Sequence, residues 1–438
     1  MTEWKQKLSA ESIFFITVDI KRGLGLERVL PNYHIICSYN DPIIGYLRKE
    51  GANIFCLEEI TGSKARKVTT TGRLLENIHV SDYIGKNAKK VPWVIYFKPS
   101  LKIEILCGKL GYRRIGNTRG INEIYENKVN FAKLAEKYFS DFFIPSITGK
   151  LSELQFSSLV RNLDLPFVVQ FGHGWAGKTT YFIKKEAEFY NLKKSFYHTK
   201  VVASKLIKGH TALNNCCIYA DNIFISEPAS QINAVNSLSE NPGVTCGRVW
   251  PSFLDNKQVE AVRIVSRKIG TIMKKSGFKG FFGIDFLIEE ETGKVFASEI
   301  NSRLTASSSF YTYLELGKNV TPLLSYHLDA FLNKGILSET GGKVNISGSQ
   351  LNVYKKAHNL AKIHKEDFGV YKITDSQPEI VRKEYKLESL NDKEYIFINK
   401  IKISKSTDEE IGRLETKSRL LKDPYNLAPW LEKMLTLS

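Results

Sequence analysis

Residues 281–301 read FFGIDFLIEEETGKVFASEIN, two apolar runs on either side of Glu291-Thr292-Gly293, which is the composition of an antiparallel hairpin. A three-residue turn sets Glu290 opposite Lys294, and counting back from that pair sets Asp285 opposite Glu299. Successive residues of a strand face opposite sides, so Asn301 and Arg303 share the side of Glu299 while Ile300 points away. Two carboxylates directly opposed repel unless a positive charge lies between them. A divalent cation meets that need: Mg2+ (or Mn2+) takes oxygen ligands, and two carboxylates with an amide oxygen leave positions for water and phosphate. Asp285, Glu299 and Asn301 are therefore the candidate metal ligands, and Arg303 offers an anionic oxygen a fork of N–H donors. Taken singly, each of the four is equally readable as a turn cap or a surface ion-pair partner. Their shared register on an apolar hairpin favours the cation.

A second motif lies upstream. Gly172-His173-Gly174-Trp175-Ala176-Gly177-Lys178-Thr179 fits GxxxxGK[ST] and follows the strand-like LPFVVQF, as a phosphate-binding P-loop does. A P-loop opens directly into a helix whose first amides face the phosphates. Here Thr180-Tyr181-Phe182-Ile183 is β-branched and aromatic, and helical signal begins only at about Lys184. The reading is strand, glycine loop, strand: a hairpin lid whose amides, with Lys178, close over a polyphosphate. A ligand-free surface turn stays open as the alternative, as does a true P-loop.

Around these motifs the chain alternates. SIFFITV (12–18), YHIICSY (33–39), ANIFCL (52–57) and WVIYF (93–97) each have the length of one buried strand and are separated by helical stretches, the grammar of an open parallel α/β sheet. From Asn127, KVNFAKLAEKYF has the spacing of a helix face, and Val262, Val265, Ile269 and Ile272 predict a long helix that stops at Gly277. Ser307, Ser308 and Ser309 either reach a substrate or begin a helix. The last hundred residues mix strand and helix patterns. The expected fold class is α/β and α+β, with an α/β unit over 1–126, a central unit over 127–335 whose lid occupies about 127–208, and a small mixed, β-rich unit over 336–438 that closes over the site.

The chain has 438 residues, 42% hydrophobic and 25% charged, enough for several compact units. The start is polar and no apolar run approaches the roughly 18 residues a bilayer span needs, so a cytoplasmic protein without a membrane partner is expected. Six cysteines contain no CxxC pair and sit in apolar surroundings, which reads as reduced core thiols. The net charge of +17 is spread among acids without a basic arm or patch; it suits anionic small molecules by long-range steering, and nucleic acid is not expected as a partner.

In order, the segments NK (127–128), PFVVQFGHGWAGKTT, KVVASKLIKG, GFFGIDF and EINSR resemble the ATP-grasp superfamily, over roughly residues 1–335. The similarity is to its carboxylate-amine ligases and to biotin carboxylase-like members. It implies an ATP site between two α+β lobes behind an α/β domain. It also implies Asp285, Glu299 and Asn301 as magnesium ligands, Lys128 on ATP phosphate, Gly172, Gly174, Gly177, Lys178 and Thr179 as the lid loop, and Ser204 to Ile207, with Lys205 between, as the adenine-binding connection. Arg303 occupies the place of a basic residue that stabilises the transferring phosphoryl group. Two positions depart from the pattern. Gln170 stands where the family has a phosphate-gripping lysine, and Lys205 stands near the place of the usual ribose-binding acid. The reaction implied is ATP-dependent activation of a carboxylate as an acyl phosphate, attacked by an amine, with release of ADP and phosphate. Small-molecule carboxylate and amine partners follow, with room for a homodimer. The alternatives are a biotin-dependent-type carboxylase that activates bicarbonate, and a P-loop kinase or NTPase or a nucleotide-binding module without turnover.

Overall fold

The computed structural model describes residues 3–174, 179–233, 235–241, 243–336, 345–374, 376–400 and 410–437. Strands β1 (Ile13–Thr17), β2 (Tyr33–Cys37), β3 (Asn53–Cys56), β4 (Trp93–Tyr96) and β5 (Arg113–Ile115) form a five-stranded parallel sheet in the order β3-β2-β1-β4-β5. Both faces of β1 and β2 are buried, which is why their sequences run apolar without alternation. The strand order reverses between β1 and β4. Loops after those two strands diverge there and open a crevice at the carboxyl edge of the sheet.

A second sheet is four-stranded, in the order β6-β9-β7-β8, and comprises β6 (Ser146–Lys150), β7 (Phe167–Phe171), β8 (Thr180–Ile183) and β9 (Lys200–Lys205), all antiparallel. One face packs on the helices Phe156–Leu163 and Glu186–Ser195 through Phe167, Val169, Leu159 and Phe189. On the other, Val202 meets Val129 and Ala132 of the helix Lys128–Tyr138. Gln170 pairs with Thr180 across the β7–β8 hairpin, so the glycine loop joins two strands, and the helix that follows starts only at Glu186. The connection is a hairpin, as the sequence suggests for a lid, and not the strand-to-helix turn of a P-loop.

The third sheet has eleven strands and carries the rest of the chain: β10 (Gly209–Tyr219), β11 (Asn222–Ile225), β12 (Ala229–Asn233), β13 (Thr245–Trp250), β14 (Gly280–Glu289), β15 (Val295–Asn301), β16 (Gly348–Tyr354), β17 (Phe368–Lys372), β18 (Ile380–Arg382), β19 (Glu394–Asn399) and β20 (Glu410–Thr416). Its order is β15-β14-β10-β12-β13-β16-β20-β19-β17-β18, with β11 paired to β10. The strands after residue 345 therefore extend the sheet of the preceding unit through the β13–β16 pairing. The helix Asn256–Lys275, capped by Asp255 and Gln258 as a capping box, lies against one face through Val262, Val265, Ile269 and Met273, opposite Phe282, Ile284 and Phe286. The opposite face turns towards the parallel sheet, and Leu213, Phe281, Val370, Ile396 and Ile398 share one core with Ile13, Phe15 and Ile35. All six cysteines are free and buried. Among the described residues no helix is long and apolar enough to cross a membrane.

Candidate functional site

The β14–β15 hairpin pairs Asp285 with Glu299, Ile284 with Ile300 and Gly283 with Asn301, as the sequence predicts, but by another route. Glu289, not Glu290, faces Lys294: the Glu289 amide donates to Lys294 C=O at 2.9 Å and the Gly293 amide to Glu289 C=O at 2.9 Å. Four residues thus make the turn, closed by Gly293 at φ 70°. That register would put Asp285 one residue off Glu299. A bulge between Asp285 and Phe286 in the ladder, where β15 has the extra residue Ser298, restores the pairing. Packing sets the bulge: Ala297 and Ile300, three apart, both enter the core against the long helix, which leaves Ser298 and Glu299 half-exposed on the other side.

On that face Asn301 Nδ2 donates to Asp285 Oδ2 at 2.8 Å and Gln231 Nε2 to Asp285 Oδ1 at 2.8 Å. Arg303 Nη2 donates to Asn301 Oδ1 at 2.7 Å. Lys128 Nζ donates to Glu299 Oε2 at 2.5 Å. Burial pushes the Asp285 carboxyl up to about 6, helped by the facing Glu299 charge and opposed by its amide partners. A carboxyl raised by its acidic neighbour is one that a cation would stabilise in the ionised form. Among the described residues no three His, Cys, Asp or Glu side chains gather closely enough to form a metal cage; the donor set is two carboxylates and an amide, which suits a magnesium ion sharing its shell with phosphate and water.

Arg303 extends from the hairpin to the parallel domain. Its Nε forms an ion pair with Glu126 Oε1 at 2.8 Å without an aligned hydrogen bond, and its guanidinium lies 5.0 Å from the Phe97 ring centre. Burial would raise the Glu126 carboxyl, yet Arg303 and Lys98, the latter 2.6 Å away, hold it below the ordinary range. A cavity of about 200 Å³ opens beside this pair, lined by Lys98, Ser100, Arg119, Asn122, Glu126 and His173.

The lid joins the site at its base. Asn127 caps the helix Lys128–Tyr138, accepting from Val129 N and Asn130 N at 3.0 and 3.1 Å, while the Lys128 amide donates to Gly172 C=O at 2.8 Å. Gly172 leaves no room for a side chain unless Asn127 moves: a Cβ there would lie 2.7 Å from Asn127 Nδ2. Gly174 is equally tight, its Cβ position overlapping the Thr179 side chain. Gly177 and Lys178 lie outside the described residues. Gln170 donates to Thr180 Oγ1 at 3.2 Å and shares with Val202 and Ser204 the lid face that packs on the lysine-bearing helix. Ser204 and Ile207 are buried. Lys205 is not brought to this face; it alternates to the other side and pairs with Asp164 at 3.2 Å on the surface. Ser308 and Ser309 start the helix Ser308–Gly317.

Residues not singled out in the sequence complete the face. Gln231, Arg248, Gln350 and Glu415 stand in register on β12, β13, β16 and β20 and continue the polar row from Asp285. Arg248 Nη1 donates to Gln350 Oε1 at 3.1 Å and Gln350 Nε2 to Glu415 Oε1 at 2.8 Å. Tyr385 OH donates to the second Glu415 oxygen at 3.1 Å. The signal for Arg248 was a charge inside the apolar strand TCGRVW.

No family model and no curated protein matches the chain. Solved structures do. The Staphylococcus aureus N5-carboxyaminoimidazole synthetase complexed with ADP matches with a TM-score of 0.58 at 13% identity, over 93% of each chain. The Hydrogenobacter thermophilus 2-oxoglutarate carboxylase biotin carboxylase domain, solved as a dimer with MgADP, ADP and bicarbonate, gives 0.60 at 12% identity over 93% of this chain and 87% of that one. The Aspergillus clavatus N5-carboxyaminoimidazole synthase with ADP and 5-aminoimidazole ribonucleotide gives 0.56 at 10% identity over 93% and 94%. At these identities the likeness establishes the fold: the chain has the two-lobe ATP-grasp fold, with an open parallel α/β domain before it and its C-terminal strands joined to the larger lobe.

Proposed function

We propose that the protein is an ATP- and Mg2+-dependent ligase that activates a carboxylate as an acyl phosphate for attack by an amine, releasing ADP and phosphate. The observation that carries this reading is the Asp285–Glu299 pair, opposed in register with Asn301 beside it and Lys128 in contact. Asp285, Glu299 and Asn301 would hold magnesium, which supplies charge neutralisation between the nucleotide phosphates. Lys128 and the lid loop from Gly172 to Thr179 grip the phosphates through charge and backbone amides, and Ser204 and Ile207 face the base. Gln170 supplies hydrogen bonds but no charge to the same region.

In the first step a substrate carboxylate oxygen bonds to the γ-phosphorus as the bond to the ADP oxygen breaks. Arg303 stabilises the charge on the transferred group from a fixed position, held by Asn301 and Glu126. In the second step the amine nitrogen bonds to the acyl carbon, phosphate leaves with the electron pair, and the amine proton passes to solvent or to the departing phosphate. The lid keeps water from the acyl phosphate in between. The chain's contribution is placement and charge, with no nucleophilic side chain required.

Bicarbonate is a second candidate for the activated carboxylate, favoured by its presence in the biotin carboxylase domain of the same fold. The test is product analysis: purified protein with MgATP is offered carboxylates, bicarbonate and amino acids. ADP and phosphate are expected. AMP and pyrophosphate would remove the reading, and turnover that needs bicarbonate would select the carboxylase form.

A further inference from the structure

The polar row on the large sheet contains a cation, Arg248, that has no ion-pair partner among the described residues and feels the Asp285 carboxylate only at longer range. Arg248 is 6% exposed; its Nη1 donates only to the neutral Gln350 amide oxygen, and its Nε has no hydrogen-bond partner. The neighbouring cations are paired: Lys21 with Asp41 at 2.6 Å, Lys400 with Asp19 at 3.1 Å, Arg413 with Glu410 at 3.0 Å and Arg303 with Glu126 at 2.8 Å. Arg22 is the other exception. It follows β1 at the crevice of the parallel sheet, and its guanidinium lies 4.4 Å from the centre of the Phe97 ring that Arg303 also approaches. Among the described residues neither Arg22 nor Arg248 has a carboxylate within ion-pair distance.

Burial, with Arg22 and Arg413 beside it, brings the Arg248 guanidinium down to about 10. Burying guanidinium groups near one another without counter-charge is unfavourable unless an anion joins them. β13 lies three strands beyond β14, on the side away from Glu299 and Lys128, so the backbones carrying Arg248 and Asp285 stand roughly 14 Å apart at ordinary strand spacing, while the long Arg248 side chain still brings its charge within reach of the Asp285 carboxylate.

We infer that Arg22 and Arg248 form a receptor for a second anionic group on the substrate, a phosphate monoester or a further carboxylate, distinct from the carboxylate that is activated. The inference builds on the ligase reading for the activated group, while the receptor itself stands on the two arginines. It narrows the substrate to small acids carrying two oxyanions, one delivered to Arg303 and the metal ligands and one held between the loop after β1 and the floor of the large sheet.

The experiment is calorimetric titration of the full chain at pH 8, without nucleotide, with inorganic phosphate, succinate and acetate. Phosphate or succinate is expected to bind and acetate to bind far more weakly. Arg22→Gln and Arg248→Gln should each weaken the binding about tenfold or more, with MgADP affinity unchanged. Preference for phosphate assigns the monoester and preference for succinate the second carboxylate. Because Arg248 has no carboxylate at ion-pair distance among the described residues, Arg248→Gln should leave the ligand-free melting temperature equal or higher, whereas an arginine that only supports the fold would lower it. Arg22→Gln, at the end of the short helical turn Ile20–Arg22 and less buried than Arg248, decides the matter if the Arg248 variant does not fold. Binding of neither anion, or affinities unaltered by both substitutions, overturns the proposal. Failure of the wild type to bind MgADP would instead sink the nucleotide reading and leave the anion receptor standing.

Discussion

Lys128 Nζ sits 2.5 Å from Glu299 Oε2, a contact between residues 171 apart in sequence that ties the first turn of the lid-side helix to the hairpin of the large sheet. Lysine at this place neutralises the carboxylate, and under the proposed function it would turn to a phosphate when a cation takes over the Glu299 charge. Replacement separates the two roles. Lys128→Met should weaken MgADP binding about tenfold or more, the scale of a lost charge-assisted bond. Glu299→Gln should keep the fold by circular dichroism and cut kcat about a hundredfold or more. Unchanged MgADP affinity in Lys128→Met would show that the lysine serves packing alone.

Asp285 predicts a pH dependence with a definite sign. Its folded value of about 6 lies above the ordinary 3.8, so the folded protein holds a proton that the unfolded chain releases. Without metal, the protein should lose stability as pH rises from about 4 through about 6 and lose no more from this group above that range. Asp285→Asn should lack that loss. Urea midpoints of both proteins from pH 4 to 8 measure it: the gap between them should open across that window and then stay constant. Mg2+ affinity should climb about tenfold per pH unit below about 6 and level above, since one proton must leave. A gap independent of pH would mean an ordinary carboxyl.

Gly172 and Asn127 predict coupling. A methyl at Gly172 would stand 2.7 Å from Asn127 Nδ2 and 3.0 Å from Oδ1, and Asn127 Oδ1 caps the helix that carries Lys128. Gly172→Ala should therefore act by displacing the cap. Asn127→Ala alone should cost about 1 kcal/mol, Gly172→Ala a similar amount, and the double variant clearly less than their sum. Additive costs in denaturant titrations would show that the two residues act independently.

The opposed carboxylates were legible because alternation is local, and yet the route to them was not. The turn has four residues where the sequence suggests three, and the Ser298 bulge shifts β15 back by one, so two offsets cancel. The bulge follows from Ala297 and Ile300 both packing under the long helix, a tertiary demand with no local signature. The strands of the parallel sheet announced themselves as continuous apolar runs since both faces are covered. β12 and β13 did not, because Gln231 and Arg248 face the cleft and interrupt their apolar pattern. Residues 336–438 read as a small separate unit closing over the site. Their union with the larger lobe rests on pairings such as Arg248 with Gln350, 102 residues apart, which periodicity cannot reveal.

That union carries the last prediction. The outer edge of β13 is covered by β16, and Phe368, Val370, Ile396 and Ile398 form a wall of the same core that holds Ile13, Phe15 and Ile35. Phe368 also meets Tyr46 of the parallel domain edge-on, with ring centres 5.9 Å apart. Burial of such side chains contributes about 1.5–3 kcal/mol each, on the order of 10 kcal/mol for the four, which is comparable to the net stability of a typical domain. A chain ended at residue 336 would expose that wall and the hydrogen-bonding edge of β13 together, and an open apolar edge recruits other chains. The fragment should be insoluble or melt without a cooperative transition. Cooperative melting of the fragment near the temperature of the full chain would mean that the C-terminal strands are an appendage, and that the floor provided by Gln350, Arg413 and Glu415 contributes nothing to the fold.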